Sequence, residues 1–176
     1  MNYNSYFWDS QPLVEFTAQQ IRKAPPVIGA PCVVVSKDIP EIKKSGSEFL
    51  RALEFFGYSC MEFKLDSKEN IYKLVEVNGR HNLSTLLAVS CGINFPWIHY
   101  QHLVFGKSPE AKEFESGKYW IDFTRDLFTA MRDPKILLSL SAFVKPYFSP
   151  KVFAILDIFD PKPFFLRFLN TFKRSQ

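Results

Sequence analysis

Two neighbouring segments of alternating polar and apolar residues constrain the fold of this chain more than any other feature. Residues 58–66 and 71–78 alternate with a period of two, the side-chain period of a β-strand, and residues 67–70 between them are polar. The pattern predicts an antiparallel β-hairpin. On the first strand, we expect one face to hold Met61, Phe63 and Leu65. On the second strand, we expect one face to hold Tyr72, Leu74, Glu76 and Asn78.

The rest of the chain mixes short strands with amphipathic helices. Apolar residues recur at helical spacing in residues 41–56, 83–91, 95–105, 124–131 and 164–173. Short apolar runs predict strands at 32–36, 119–123 and 151–156. Residues 1–30 are rich in polar residues and proline, which favours an ordered loop or a sheet edge. We therefore predict the α+β class, with a mostly antiparallel sheet flanked by helices.

Composition excludes several classes of protein. The 176 residues are 47% hydrophobic and 23% charged, as in ordinary globular domains and unlike disordered chains. The net charge of +4 is too small to indicate a nucleic-acid-binding protein. No apolar run reaches the ~18 residues that a membrane span needs, and the first residues lack the basic and apolar parts of a signal peptide. We expect neither a membrane span nor a nucleic-acid partner.

Neither the cysteines nor the histidines form a metal-binding motif. Cys32, Cys60 and Cys91 are widely spaced without a C-x-x-C pair, so we expect buried, reduced thiols and a cytoplasmic location. His99 and His102 would be neighbours on a helix, but no third ligand lies near them in the sequence. We interpret both histidines as partly exposed helix residues.

The acidic residues of the hairpin are the clearest indication of chemistry. Glu76 lies 14 residues after Glu62. If the two pair directly, which requires a turn with an odd number of residues, then Glu62, Glu76 and Asn78 share one face of the sheet. A turn with an even number of residues would place the two carboxylates on opposite faces, because a slip of one residue inverts every side chain.

Two carboxylates directly opposite each other destabilise a sheet, and a divalent cation would offset that repulsion. Carboxylate oxygens suit Mg²⁺, which commonly binds one or two carboxylates together with substrate phosphates. Arg80, just beyond Asn78, would extend the same side of the strand toward an anionic group. The simpler alternative is a solvated face on which Lys64 and Lys73 neutralise the carboxylates.

The sequence around this hairpin resembles a known family. Residues 74–80 read Leu-Val-Glu-Val-Asn-Gly-Arg, and a helix of small residues then leads to Cys-Gly-Ile-Asn-Phe-Pro-Trp at 91–97. These segments are similar to the C-terminal part of ATP-grasp ligases, in particular to carboxylate–amine ligase-like proteins related to the large subunit of carbamoyl-phosphate synthase. That subgroup has an acidic strand, then Glu-x-Asn-x-Arg, then a helix ending in Ala-Gly-Val-x-Phe-Pro. Further similarities lie at residues 16–17, 21–23, 25–26, 29, 153–156 and 160–163, so the resemblance covers nearly the whole chain.

The resemblance implies a fold and a reaction. Residues 1–106 would form the C-terminal lobe of the ATP-grasp fold, and residues 107–176 a family-specific extension packed on it. The reaction would use ATP to convert a carboxylate into an acyl-phosphate, which an amine then attacks. Such phosphoryl transfer depends on positioning and charge neutralisation more than on covalent work by the protein.

The resemblance also implies roles for individual residues. Glu62, Glu76 and Asn78 would ligate Mg²⁺ or Mn²⁺ bridging the ATP phosphates. Arg80 would stabilise the transferring phosphate, and Arg22 would contact phosphate.

Departures from the family limit what the resemblance implies for this chain. Gly79 stands where the subgroup has proline, and His81 where it has an aromatic residue, and neither change removes a ligand. The full enzymes are much longer, and their phosphate-binding lysines and adenine-binding hinge have no counterpart here. We therefore expect activity only together with an N-terminal half, supplied by a partner chain or by a preceding segment.

Three alternatives remain open from the sequence. The chain could be a non-catalytic interaction module that binds a partner through Phe7, Trp8 and the aromatic face of its C-terminal helix. Glu62-x-Lys64 could belong to a nuclease-type site, which also needs an acidic residue on the preceding strand. A third alternative places the C-terminal helix on a membrane surface instead of on the sheet; its basic residues are Arg167, Lys173 and Arg174.

Overall fold

The computed structural model describes residues 1–26, 29–132 and 139–173, with side chains as far as Thr171. Within these residues, the strands are β1 (Asn2–Trp8), β2 (Gln11–Ala24), β3 (Ala30–Ser36), β4 (Gly57–Asp66), β5 (Ile71–Asn78), β6 (Tyr119–Ile121) and β7 (Lys151–Phe153). The helices are α1 (Pro40–Ala52), α2 (Thr85–Ser90), α3 (Phe95–Phe105), α4 (Phe123–Arg132), α5 (Leu140–Phe148) and α6 (Lys162–Lys173).

The strands form one sheet in the order β5-β4-β1-β2-β3-β6-β7. Neighbouring strands are antiparallel except β6 and β7, which are parallel. The predicted α+β class with a mostly antiparallel sheet is confirmed. Residues of the predicted extension, 107–176, add β6 and β7 to the sheet that residues 1–106 begin.

Residues 1–30 were expected to form a loop or a sheet edge, and this prediction was wrong. They form the central strands β1 and β2 and the start of β3. Polar residues are tolerated at buried positions of β1 because they form hydrogen bonds with side chains of the neighbouring strands. The Tyr58 hydroxyl donates to Asn4 Oδ1 over 2.8 Å, and the hydroxyl oxygens of Ser5 and Ser59 are 2.9 Å apart. The prolines lie near strand ends or in turns, where no central hydrogen bond of the sheet is lost.

Helices cover both faces of the sheet. Ile42 and Leu50 of α1 pack on one face against Tyr3, and Gly46 permits this approach because a Cβ there would lie 2.5 Å from the Tyr3 ring. α4 lies further along the same face, over β2 and β3. Leu87 of α2 and Phe95 of α3 pack into the core on the opposite face.

Most of the other predicted elements are present with shifted ends. The hairpin and the helix at 95–105 have the predicted bounds to within a residue, whereas α1, α2, β6 and β7 are shorter than expected. α5 was not expected, because Pro146 interrupts its apolar pattern. The three cysteines are buried and free, as predicted.

One side of α6 packs against α4. The Phe164 ring lies 5.9 Å from that of Phe123, and the Phe168 ring lies 6.1 Å from that of Phe128. Of the basic residues in the membrane-surface alternative, Arg167 binds Asp122, as described below. Arg174 and the side chain of Lys173 lie outside the described residues. None of the helices in the described ranges is long and apolar enough to cross a membrane.

The aromatic interaction surface expected at Phe7 and Trp8 is largely absent. Phe7 is fully buried in the core beneath α1. Trp8 is half-buried, and its ring packs edge-on against His102 at 4.5 Å and Phe56 at 6.1 Å. The prediction failed because β1 is a central strand and both of its faces are covered.

Candidate functional site

Glu62 and Glu76 are direct cross-strand neighbours. In the antiparallel pair of β4 and β5, Glu62 pairs with Glu76 and Cys60 pairs with Asn78. The Cβ atoms of directly opposed residues lie about 5 Å apart. Two carboxylates and the Asn78 amide therefore lie on one face of the hairpin, which is the first of the two registers considered from the sequence.

A β-bulge produces this register, and the turn does not. The turn consists of residues 67–70, an even number, for which we had predicted carboxylates on opposite faces. Phe63 pairs with Leu74 and Glu62 with Glu76, so Val75 is an extra residue on β5. We expected the two glutamates to share a face only if the turn had an odd number of residues. That expectation was wrong, because the extra residue in β5 reverses the alternation of side chains and so offsets the effect of the even turn.

The same bulge changes the faces predicted for β5. Tyr72 and Leu74 pack with Val77 against the core beneath α1. We had expected Tyr72 and Leu74 to lie beside Glu76 and Asn78. The acidic face is therefore more polar than the sequence pattern indicated.

The predicted hairpin residues share one cavity, which we call the acidic cleft. Its volume is about 310 Å³. Glu62, Glu76, Asn78 and Arg80 line it from the hairpin side. The remaining lining residues come from β1, β2, the first two residues of β3 with the residue before them, and the segment before α2: Asn2, Gln20, Lys23, Gly29, Ala30, Pro31, Asn82, Leu83 and Ser84.

In the part of the chain that the structure describes, neither carboxylate of the acidic cleft forms an ion pair with a side chain. Among the described residues, no Lys, Arg or His nitrogen lies within 4.0 Å of Glu62 or Glu76. Lys73, expected from the sequence as a neutralising partner, binds Asp66 at 2.7 Å and Glu69 at 3.1 Å instead. Within the described residues, no side-chain ion pair offsets the repulsion across the strand pair, and a bound cation would relieve it.

Asn82 holds in place the segment that carries Arg80. Its Nδ2 donates to Asn4 Oδ1 and contacts Cys60 Sγ, both over 3.1 Å, and its carbonyl accepts from the Thr85 hydroxyl over 2.8 Å. Burial raises the pKa of Cys60 to about 11, so this thiol stays neutral beside the carboxylates. Arg80 itself is exposed at the mouth of the cleft.

Arg22 does not line the acidic cleft, although with Glu62 it borders a neighbouring cavity of about 530 Å³. A register shift between Gln20 and Arg22 turns it toward α4. There its Nε and Nη2 each donate to Asp126 over 2.7 Å, and its guanidinium lies 4.8 Å from the centre of the Phe143 ring. This ion pair occupies the donors that a phosphate would need. The role implied for Arg22 remains a prediction.

Lys23 is a residue of the acidic cleft that the sequence reasoning missed. It lines the cleft together with Glu62, and both residues also border the neighbouring cavity of about 530 Å³. The alternation of Val14, Phe16 and Ala18 would have identified β2 as a buried strand. Lys23 would then have been placed at the end of that strand.

The histidines lie outside the acidic cleft. His102 Nδ1 is 3.0 Å from the Tyr6 hydroxyl, and the His99 ring lies 5.3 Å from the Tyr6 ring. Within the described residues, no group of three or more His, Cys, Asp or Glu side chains forms a metal centre. The acidic cleft has two carboxylates, and any further protein ligand would be the Asn78 amide.

Comparisons with known proteins add no assignment: no protein-family model matches the sequence, and no curated protein matches it significantly.

Proposed function

We propose that this chain supplies the metal-binding half of an ATP-dependent carboxylate–amine ligase site of the ATP-grasp type. The observation that carries the proposal is the direct pairing of Glu62 with Glu76 in a cleft that Asn78 and Arg80 share. The second half, which would hold the nucleotide base, comes from another lobe. Cytoplasmic ATP and a small carboxylate and amine would be its substrates.

The side chains of the acidic cleft fit a Mg²⁺ or Mn²⁺ ion. Glu62 and Glu76 offer carboxylate oxygens, Asn78 offers an amide oxygen, and neither carboxylate has an ion-pair partner within the described part of the chain. Such an ion, when bound, would screen the charge of phosphate oxygens. These three residues would hold it.

The cationic side chains of the cleft would bind the phosphate itself. Arg80 is exposed, and its planar guanidinium can bind two phosphate oxygens at once. Lys23 also lines the cleft and would bind as a point charge. The tether from Asn82 to β1 and β4 would limit the movement of Arg80 and keep it aligned with the carboxylates.

Titration with Mn²⁺, followed by electron paramagnetic resonance, tests the metal site. We expect saturable Mn²⁺ binding by the intact chain. Glu76→Gln and Glu62→Gln should each weaken it by about tenfold or more, because losing even an outer-shell partner commonly costs tenfold. Glu48→Gln is the matched control, since Glu48 is an exposed residue on α1. Equal Mn²⁺ affinity in all four proteins would refute the site.

A second experiment tests the ligase activity. ATP hydrolysis should be negligible for the chain alone and should appear when an N-terminal ATP-grasp lobe is added. Glu76→Gln should abolish that turnover, and Arg80→Ala should reduce it while leaving Mn²⁺ affinity unchanged. Mn²⁺ binding without turnover in any combination would instead favour a non-catalytic interaction module.

A further inference from the structure

A second cavity lies where α4, α6 and the turn after β2 meet. Its volume is about 660 Å³, larger than that of the acidic cleft. Arg125 and Arg132 of α4 and Arg167 of α6 line it, together with Phe128, Pro25 and Pro26. Among the described residues, no Asp or Glu side chain belongs to its lining.

Two of the three arginines at this cavity, Arg125 and Arg167, contact the same carboxylate, that of Asp122. Arg167 Nη2 lies 2.7 Å from Asp122 Oδ2, and Arg125 Nε lies 3.4 Å from the same oxygen. Asp122 is a single buried carboxylate, with a side chain 6% exposed. Among the described residues, the guanidinium groups of Arg125 and Arg167 therefore share one negative charge, which leaves one positive charge of this pair unpaired.

The guanidinium groups retain donors that Asp122 does not use. Each guanidinium has five N–H groups, and the contacts to Asp122 use only one nitrogen of each arginine. Both arginines line the cavity and are about one-third exposed, with side-chain exposures of 38% and 31%. Their remaining donors can bind an oxyanion without breaking the contacts to Asp122.

The cavity walls limit the class of ligand. A volume of 660 Å³ lies in the range of pockets for small molecules and exceeds the space that an inorganic phosphate fills. Phe128, which is 8% exposed, and the two prolines provide an apolar wall next to the arginines. A ligand with an anionic group and an attached apolar or aromatic part would fit both.

We infer that this cavity binds a small organic phosphate, with its phosphate on Arg125 and Arg167 and its organic part against Phe128 and the prolines. The site is independent of the acidic cleft and needs no metal. The ion pair between Arg22 and Asp126 does not add to the positive charge of this cavity, because one guanidinium is neutralised by one carboxylate. Arg125 and Arg167 are thus the phosphate-binding residues.

Calorimetric titration with phenyl phosphate in the presence of EDTA tests the inference. Chelation of metal ions removes binding that depends on a cation in the acidic cleft. We expect the intact chain to bind phenyl phosphate at one site and at least about tenfold more tightly than inorganic phosphate, because the ring buries apolar surface. Glu76→Gln should leave this binding unchanged, so the outcome does not depend on the proposed ligase site.

Arg125→Gln is the decisive variant. Its contact with Asp122 is the longer one, so the Arg167–Asp122 pair remains and the fold should be kept, as thermal unfolding would verify. We expect about a tenfold loss of phenyl phosphate affinity, the usual effect of losing a hydrogen bond to a charged group. Arg51→Gln, an exposed arginine on α1, should have no effect.

Three results would overturn the inference. The first is no binding of phenyl phosphate by the intact chain. The second is unchanged affinity in a folded Arg125→Gln variant, or an equal loss in Arg51→Gln. The third is equal affinity for phenyl phosphate and inorganic phosphate, which would exclude an organic ligand.

Discussion

At the scale of single residues, Asp126 connects more of the structure than any acidic residue of the acidic cleft. It accepts two bonds from Arg22 of β2 over 2.7 Å and one from the Tyr147 hydroxyl of α5 over 2.6 Å. The Cys32 thiol of β3 lies 3.5 Å from the same carboxylate. Burial, and then the charge of Asp126, raises the pKa of Cys32 to about 12, so the thiol stays protonated. One carboxylate thus joins two strands to two helices.

Asp126→Asn should strongly destabilise the fold. The substitution removes the charge that balances the partly buried Arg22, and breaking a buried pair costs about 3–5 kcal/mol. Urea denaturation would measure this loss in the free energy of unfolding. Asp38→Asn is the control, because the Asp38–Lys43 pair is exposed and such pairs contribute about 0–1 kcal/mol. Similar losses in the two variants would contradict the role given to Asp126.

His81 should make the fold less stable in acid. Burial against Tyr58, whose ring lies 4.1 Å away, and the nearby charge of His99 lower the pKa of His81 from its ordinary value of 6.5. As the pH falls below 6.5, the unfolded chain takes up this proton first, so stability falls with pH. We expect a small effect, because the ring is only partly shielded from water.

Nuclear magnetic resonance titration of the His81 ring checks this prediction. Its midpoint should lie below 6.5 and should move up in the variant His99→Gln, which removes the neighbouring charge. In parallel, His81→Gln should flatten the dependence of the unfolding free energy on pH below about 6.5. A midpoint at or above 6.5 would be incompatible with the packing described.

At the scale of elements, the bulge at Val75 decides the character of the hairpin. On its turn side, Tyr72 and Leu74 point into the core beneath α1. On its other side, Val77 points into the same core while Glu76 and Asn78 face the acidic cleft. If Val75 were paired as in a regular strand, Val77 would lie on the face opposite to Tyr72 and Leu74. The bulge therefore allows all three side chains to pack into the same core.

Deletion of Val75 should preserve both the core and the acidic cleft. Val75 is 64% exposed, and its removal joins Leu74 directly to Glu76, so every other cross-strand pair can persist. Deletion of Val77 should instead turn Asn78 toward the core and cost several kcal/mol, because it also removes a partly buried side chain. Thermal unfolding of both deletion variants and Mn²⁺ titration of the first would measure these effects. A collapse of stability on deletion of Val75 would show that the bulge is required.

At the scale of the whole molecule, the strand order sets a gradient of local stability. β1 and β2 lie inside the sheet with neighbours on both sides, whereas β5 and β7 are its edges. Tyr3, Tyr6 and Phe7 of β1 are fully buried, while β5 and β7 contain no residue below 9% exposure among those described. Opening at an edge therefore breaks fewer contacts than opening at the centre.

Amide hydrogen exchange should follow this order. We expect the slowest exchange in β1 and β2, at the rate of global unfolding, and much faster exchange in β7 and in the outward-facing amides of β5. Mass spectrometry of peptic fragments resolves these segments. Uniform protection across the sheet would contradict the gradient, and rapid exchange in residues 2–8 would contradict the central place of β1.

The sequence predicted those strands and helices whose pattern of apolar and polar residues matches the buried and exposed positions in the folded protein. The period-two runs at 58–66 and 71–78 became β4 and β5, and the helical spacing at 95–105 became α3. The acidic pair was recognised because Glu62 and Glu76 stand on adjacent predicted strands. Residues 1–30 escaped recognition as central strands because Asn2, Asn4 and Ser5 are polar, and only their partners on other strands make their burial possible.

By itself, the sequence determined the α+β class, the hairpin and the four residues Glu62, Glu76, Asn78 and Arg80 as a candidate site. Tertiary structure alone decided that the two glutamates face each other, because the register depends on a bulge that no local pattern marks. It also decided that Arg22 pairs with Asp126, 104 residues away, and that Lys23 lines the same cleft as Glu62. The physical reason is that periodicity reports which residues avoid water, whereas register and ion pairing depend on contacts between segments far apart in the chain.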